Sequence, residues 1–148
     1  AKDMVVMHQG PETFISMMVL DGVFERHPKL RGASVELGAG WVPEMLQRLD
    51  YVVKTWTRVD KNLDEIKRKP SEQLKEQMAF TPYAHEDVGL LMDASSPELY
   101  LFSSDYPHVE GTRDPIGKFE KTLINRNEGE KDLFFSENFL RIFPRARV

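Results

Sequence analysis

The chain alternates between helical and extended patterns, and this alternation limits the folds it can adopt. Apolar residues recur at helical spacing over residues 12–26 and again over 45–56. Three short runs that favour β-structure are separated by predicted helices: residues 32–37, 79–83 and 99–103. Strands joined through helices lie parallel, because the crossover connection returns the chain in the same direction. The sequence therefore predicts an α/β fold with parallel strands, formed by residues 1–148 as a single unit.

Further helices are predicted along the rest of the chain. Ser71 has the position of an N-cap before a short helix, and residues 86–94 place acidic residues at the amino end of another. Residues 115–124 and 130–143 complete the chain as helices, the second of them interrupted near Ser136. Helices thus precede, separate and follow the predicted strands.

The composition excludes several classes of protein. The 148 residues are 41% hydrophobic, enough for a substantial core. No apolar run approaches the roughly 20 residues that cross a bilayer, and the amino-terminal residues lack the pattern of a signal peptide, so the sequence predicts a cytoplasmic protein with no membrane partner. A net charge of -4 with interspersed acids and bases gives no basic surface for nucleic acid. Because cysteine is absent, a metal ion would be held by His, Asp, Glu or water.

Polar residues follow each predicted strand at the point where it ends. Glu36, His85 and Asp105 stand at or just beyond these ends. The carboxyl ends of parallel strands converge at one edge, where ligand-binding residues collect. An aspartate directly after a buried strand can ligate a metal ion and accept a proton from water; the alternative is that Asp105 only caps the following turn. We expect Asp105 and Glu36 to share one mouth at this edge.

Five segments of the chain resemble one enzyme family: GVFERHPKLRG, VELGAGWVPEMLQRLD, FTPYAHEDVG, LFSSDYPHVEG and FFSENFLRIF. They are similar to the C-terminal part of amidohydrolase-related (amidohydrolase 2) metal-dependent hydrolases, a group that includes aminocarboxymuconate-semialdehyde decarboxylase and related non-oxidative decarboxylases. The resemblance covers nearly the whole chain, and SSDYPH after an apolar strand is its most specific part. It implies a (β/α)8 TIM barrel in which this chain supplies about strands six to eight. Since such a barrel typically needs about 250 residues, we expect the chain to be the C-terminal portion of a longer enzyme.

The resemblance also implies a function and a set of site residues. Asp105 matches the aspartate that ends the eighth strand in that family, where it ligates the metal and handles the proton of the attacking water. The implied activity is hydrolysis of a C–N or C–O bond in a small organic substrate with a divalent metal, zinc being the expected ion; non-oxidative decarboxylation is the alternative. Glu36 stands where many relatives have a histidine, and Glu36 and His85 are predicted to bind substrate. The alternatives are that Glu36 is a metal-adjacent group or pairs with a buried arginine, and that His85 is an exposed loop histidine. The family's paired first-strand histidines, an HxH arrangement, have no counterpart here.

The remaining histidines receive structural interpretations. His108 is predicted to be an oriented loop histidine bonded to backbone. His8 is predicted to lie in a loop before the first helix, the alternative being a fifth-strand ligand after the apolar run 4–7. His27 is predicted to mark a helix end. None of the three is predicted to be a metal ligand.

The chain by itself is expected to be an incomplete metalloenzyme. Asp105 is its one confident ligand, whereas catalytic zinc sites generally use three, so we expect weak zinc binding and no metal-dependent hydrolysis. Exposed strand edges predict a homo-oligomer or association with a partner that carries the missing N-terminal part. A non-catalytic partial barrel that self-associates is therefore the second functional interpretation.

Overall fold

The structure, a computed structural model, describes residues 2–109 and 111–146 and is built mainly from helices around a small parallel sheet. The helices are α1 (Gln9–Leu20), α2 (Val23–Arg26), α3 (Val42–Trp56), α4 (Pro70–Gln77), α5 (Val88–Ala94), α6 (Pro115–Thr122), α7 (Glu128–Asp132) and α8 (Asn138–Ile142). The strands are β1 (Gly32–Ser34) and β2 (Met78–Phe80). Short 3-10 helices occupy Asp3–Val5, Lys61–Glu65, Pro97–Leu99 and Pro144–Ala146, and a π-helical turn, Leu133–Glu137, joins α7 to α8. The predicted α/β chain with parallel strands is confirmed, and within the described ranges no helix is long and apolar enough to cross a membrane.

A parallel ladder fixes the relative positions of three chain segments. β1 pairs with β2, with Ser34 opposite Phe80, and Phe80 bridges in turn to Tyr100 of a third extended segment. Hydrogen bonds from the Thr81 and Leu101 amides extend the ladder, to Ser34 O at 3.1 Å and to Phe80 O at 2.9 Å. Because the three segments run in the same direction, the residues that follow them emerge on one side. We call this side of the sheet the carboxyl edge.

The strands are shorter than the sequence predicts, and the third is reduced to a single bridge. Leu99 ends the 3-10 helix that Pro97 begins, so only Tyr100 pairs with β2. Beyond it the Phe102 N–H donates to Phe134 O at 2.9 Å, which directs the chain towards the C-terminal helices. The predicted third strand is thus wrong in extent, although the apolar residues around Tyr100 are buried as predicted.

The helix predictions differ from the structure at two places and agree at a third. The first predicted helix is broken at Gly22, whose φ of 68° lies in the left-handed region that favours glycine. Helix α4 begins at Pro70, which suits a first turn because the amide it lacks would have no partner there. Ser71 is therefore not the N-cap but lies inside α4, and its N–H donates to Asp50 Oδ1 at 2.9 Å. The interruption predicted near Ser136 is confirmed by the π-helical turn.

The core lies between the ladder and the helices packed on it. Its largest fully buried apolar side chains come from elements along the whole chain: Phe24, Met45, Leu74, Phe80, Leu99, Tyr100, Phe119 and Phe134. Phe102 packs edge-on against Phe119 and Phe134, with ring centroids 6.0 and 6.2 Å away. Helices α5 and α6 approach so closely that a Cβ on Gly89 would lie 2.4 Å from the Thr122 carbonyl oxygen. This packing fixes the helices that bracket the loops of the carboxyl edge.

Candidate metal and catalytic site

Three side chains from two loops meet at the carboxyl edge. Glu36 follows β1, while Asp105 and His108 follow the third extended segment. One ligand atom of each residue lies within 4.8 Å of the other two. His108 Nδ1 lies 3.2 Å from Asp105 Oδ1 and 3.9 Å from Glu36 Oε1. We call these three residues the edge cluster.

The loop after β2 holds the backbone of Glu36 in place. Glu36 has a φ of 62°, so the chain turns sharply into the left-handed region as it leaves β1. Its N–H donates to Thr81 Oγ1 at 3.0 Å, and its carbonyl oxygen accepts from the Tyr83 hydroxyl at 2.9 Å. The carboxylate is half-exposed. Two hydrogen bonds thus fix the main chain of Glu36 and leave its charged group open to a ligand.

Asp105 sits in a tight turn that also brings His108 beside it. The φ of Asp105 is 53°, again in the left-handed region, and the His108 N–H donates to the Asp105 carbonyl oxygen at 2.9 Å. Gly111 packs on this turn, where a Cβ would lie 2.9 Å from that carbonyl oxygen and 3.2 Å from the carbonyl oxygen of Ser104. The turn therefore places the residue three positions after Asp105 next to the Asp105 side chain.

One carboxylate oxygen of Asp105 is buried without a partner. The side chain is 13% exposed, and Oδ2 has no hydrogen-bond partner among the described residues. Leaving a buried polar oxygen unpaired is costly. Within the described ranges no lysine or arginine is paired with Asp105 or Glu36. Oδ2 is therefore available to a cation or a proton, and a donor set of two carboxylates and an imidazole suits a divalent metal.

A cavity with aromatic walls lies beside the edge cluster. Its volume is about 340 Å³, and its lining includes His8, Leu37, Trp41, Tyr83, His85 and Glu86. The His85 ring stacks on Tyr83 with centroids 5.7 Å apart, and the His8 ring stacks on Trp41 at 6.1 Å. Tyr83 also bonds to the backbone of Glu36, so the cavity adjoins the edge cluster.

Glu86 ties the loops that follow β1 and β2 together. Its carboxylate accepts hydrogen bonds from the N–H groups of Tyr83 at 2.7 Å, Ala39 at 2.9 Å and Gly40 at 2.7 Å. Ala39 and Gly40 lie just before α3, so the negative charge also faces the positive end of that helix. The Tyr83 ring packs over Gly38, where φ is 65° and a Cβ would lie 2.8 Å from the ring. The sequence interpretation missed this contact between Glu86 and the loop before α3. The available signal was the run of small residues in that loop, whose backbone N–H groups a carboxylate can reach.

The structure brings some of the predicted site residues together and separates others. The prediction that Asp105 and Glu36 share one mouth is confirmed by their proximity. His108 lies in a loop, as predicted, and its Nδ1 lies 3.2 Å from the Asp105 carboxylate. His85 is exposed and lies in the aromatic cavity, outside the edge cluster. His8 directly precedes α1, as predicted. The ligand and substrate roles of these residues remain predictions.

Comparisons with known proteins identify a family and two similar solved structures. A sequence model described as amidohydrolase matches residues 3–145. The crystal structure of an amidohydrolase from Mycobacterium avium subsp. paratuberculosis K-10 is similar with a TM-score of 0.78 and 27% identity, over 95% of this chain and 35% of that one. The structure of 5-carboxyvanillate decarboxylase LigW from Sphingomonas paucimobilis is similar with a TM-score of 0.64 and 26% identity, over 89% of this chain and 39% of that one.

The matches differ in how much of each protein they cover. No curated protein matches the chain significantly. The chain spans 35% and 39% of the lengths of the two solved structures. The family match, in contrast, extends over almost the whole of the 148-residue chain. The chain belongs to the amidohydrolase family.

Proposed function

We propose that this chain carries part of the active site of a metal-dependent hydrolase that cleaves a C–N or C–O bond in a small organic substrate. The observation that carries the proposal is the buried Oδ2 of Asp105, unpartnered among the described residues, beside Glu36 and His108. Membership of the amidohydrolase family supports it. The parallel ladder and its helices support a further part of the proposal, that the chain is the C-terminal part of a (β/α)8 TIM barrel.

Asp105 has two tasks in this proposal. A divalent cation, zinc in our proposal, would supply Lewis-acid polarisation and would lower the pKa of coordinated water towards about 7. Asp105 would hold the cation and take up the proton of the attacking water at its carboxylate. Oδ2 suits this task because no donor in the described ranges competes for its lone pairs. The proton then passes from Asp105 to the leaving group, which completes general acid–base catalysis.

Glu36 and His85 are proposed to bind the substrate. The aromatic cavity, at about 340 Å³, is large enough for a small organic molecule. His85 stands at this cavity on the Tyr83 ring, where its nitrogen atoms can bond to a polar group of the substrate. The half-exposed Glu36 carboxylate can accept a hydrogen bond from the part of the substrate nearest the edge cluster. The substrate would thus lie between the cavity and Asp105.

Non-oxidative decarboxylation is the second candidate function. It is favoured by the similarity to the structure of 5-carboxyvanillate decarboxylase. In a decarboxylation a proton replaces the departing carboxyl group, so Asp105 would act as a proton donor to carbon. Release of carbon dioxide without uptake of water would distinguish this reaction from hydrolysis.

Replacement of Asp105 tests the proposal. In a form of the enzyme that turns over an amide, ester or lactone, we expect Asp105→Asn to reduce turnover by at least about a hundredfold, because proton transfer by a positioned side chain commonly contributes that much. The amide of asparagine cannot accept the proton. Turnover and the far-ultraviolet circular dichroism spectrum would be measured together.

Asp114→Asn is the matched control for this experiment. Asp114 caps α6, and its Oδ1 accepts from the Gly117 N–H at 3.0 Å, so it is an aspartate outside the edge cluster. Turnover of this variant should stay close to that of the unmodified enzyme. If Asp105→Asn also kept near-normal turnover with an unchanged spectrum, Asp105 would be a turn-capping residue and the proposal would be wrong.

A further inference from the structure

Glu36 and His108 bring to the edge cluster donor atoms that the sequence interpretation did not count as metal ligands. That interpretation counted Asp105 alone and therefore expected weak zinc binding. In the structure, two loops supply a second carboxylate and an imidazole nitrogen within 4.8 Å of it. Catalytic zinc sites generally use three protein ligands. The number of donor residues present in this chain matches that requirement.

The separations between these donor atoms suit a single small cation. Bonds of about 2.0–2.2 Å at tetrahedral angles place neighbouring ligand atoms about 3.4 Å apart. His108 Nδ1 lies 3.2 Å from Asp105 Oδ1 and 3.9 Å from Glu36 Oε1. The larger separation involves Glu36, whose half-exposed carboxylate can move closer without disturbing the core. Its main chain need not move, because the bonds to Thr81 and Tyr83 involve backbone atoms only.

The charges of the edge cluster also favour a cation. Two carboxylates lie together at the carboxyl edge, and within the described ranges neither is paired with lysine or arginine. The buried Oδ2 of Asp105 adds an oxygen without a hydrogen-bond donor from the described residues. A divalent ion would neutralise both carboxylates and satisfy this oxygen, or its neighbour Oδ1, in one step.

From these observations we infer that Glu36 and His108 join Asp105 as protein ligands of one divalent-cation site. The mixed oxygen and nitrogen donors favour late first-row ions such as zinc over magnesium, which prefers oxygen ligands alone. One oxygen of Glu36 can bind the cation while the other accepts a hydrogen bond from substrate. The inference concerns the site of the proposed function, but it is about metal binding and does not require turnover.

Calorimetric titration of the metal-free 148-residue chain with zinc chloride tests this inference. We expect one zinc ion per chain and weaker binding of magnesium. Loss of an outer-shell partner already costs about 10–100-fold in metal affinity, so Glu36→Gln, Asp105→Asn and His108→Gln should each weaken zinc binding at least tenfold. His85→Gln is the matched control, because His85 lies at the same edge but outside the edge cluster, and it should bind zinc as the unmodified chain does.

The outcomes separate this inference from the proposed function. Circular dichroism of each variant would show whether the fold is retained. Because the side chains of Glu36 and His108 are about half exposed, their substitution should leave the fold intact. Absence of saturable zinc binding, binding that survives all three substitutions, or an equal loss in His85→Gln would overturn the inference. Zinc binding that depends on the edge cluster, in an enzyme whose turnover is unchanged by Asp105→Asn, would support the inference and count against the proposed function only.

Discussion

Tyr100 illustrates at the scale of one residue how burial changes acid–base behaviour. Its ring is fully buried, and its hydroxyl bonds to Ser95 Oγ and to the Leu91 carbonyl oxygen. Burial raises the pKa of Tyr100 from 10.0 to about 12, because the charged phenolate is poorly solvated in the core. A group whose pKa is higher in the folded state stabilises the fold fully below its unfolded pKa. That stabilisation is lost as the pH rises through the folded value.

We therefore expect the free energy of unfolding to fall between about pH 10 and 12 by up to about 3 kcal/mol more in the unmodified chain than in Tyr100→Phe. Urea denaturation at a series of pH values measures this difference. Tyr100→Phe should be less stable at pH 8, since it loses the hydroxyl bonds, so the slope with pH is the informative quantity. Tyr51→Phe, at a position that is 63% exposed, should keep the slope of the unmodified chain. Equal slopes for all three proteins would contradict the prediction.

The edge cluster shows which site residues a sequence reveals. Asp105 was predictable because it follows an apolar run that reaches the sheet, and Glu36 because it follows another such run. The contact between His108 and Asp105 was not predictable from the sequence. It depends on a turn that places Asp105 in the left-handed region, where non-glycine residues are uncommon. The spacing of three residues between Asp105 and His108 was the available signal, since a tight turn brings such residues together.

At the scale of the elements, Glu86 determines how the loops of the carboxyl edge fit together. We expect Glu86→Gln to lower the free energy of unfolding by about 1–3 kcal/mol, because the amide would point its own donors at N–H groups that now share a carboxylate. Chemical denaturation would measure the loss. Glu44→Gln is a suitable control, since Glu44 is exposed in the first turn of α3 and its pairing with Arg48 is weak. An equal effect of both substitutions would show that Glu86 contributes only its charge near the helix.

Helices were predicted more accurately than strands for a physical reason. The apolar stripe of α3 repeats over four turns, so its existence and its approximate ends are evident from residues 45–56. The strands are three residues long, too short for alternation to define their ends. The third predicted strand failed because Pro97 starts a 3-10 helix and Phe102 bonds to Phe134. Contacts between distant segments set these boundaries, and a local pattern does not contain them.

At the scale of the whole molecule, no described residue pairs with the outer edge of β1. Among the described residues β1 pairs with β2 alone. A cavity of about 590 Å³ runs beside it, with a lining that includes Phe14, Met18, Leu30, Val35 and Met78. An unpaired strand edge beside apolar surface favours pairing with another chain. We propose that the 148-residue chain self-associates through this edge.

Sedimentation velocity over a range of concentrations tests this proposal. The mean mass should rise with concentration in the unmodified chain. Val35→Lys places a charge beside the outer edge, at a residue that is 50% exposed, and should shift the distribution towards the monomer. Val59→Lys, at a residue that is 76% exposed and does not line this cavity, should leave the distribution unchanged. A monomer at every concentration would refute the proposal.

The ladder that joins β1, β2 and Tyr100 also limits how long a ligand can stay bound at the edge cluster. Glu36 and Asp105 are distant in sequence, and pairing at Ser34 and Phe80 and the bridge to Tyr100 set their relative positions. If the proposed cation lies between the two carboxylates, opening of this short ladder would separate them and release the ion. The bound cation would oppose that opening, since a ligand held only by the closed form stabilises the closed form. The residence time of the proposed cation would therefore be no longer than the lifetime of the closed sheet.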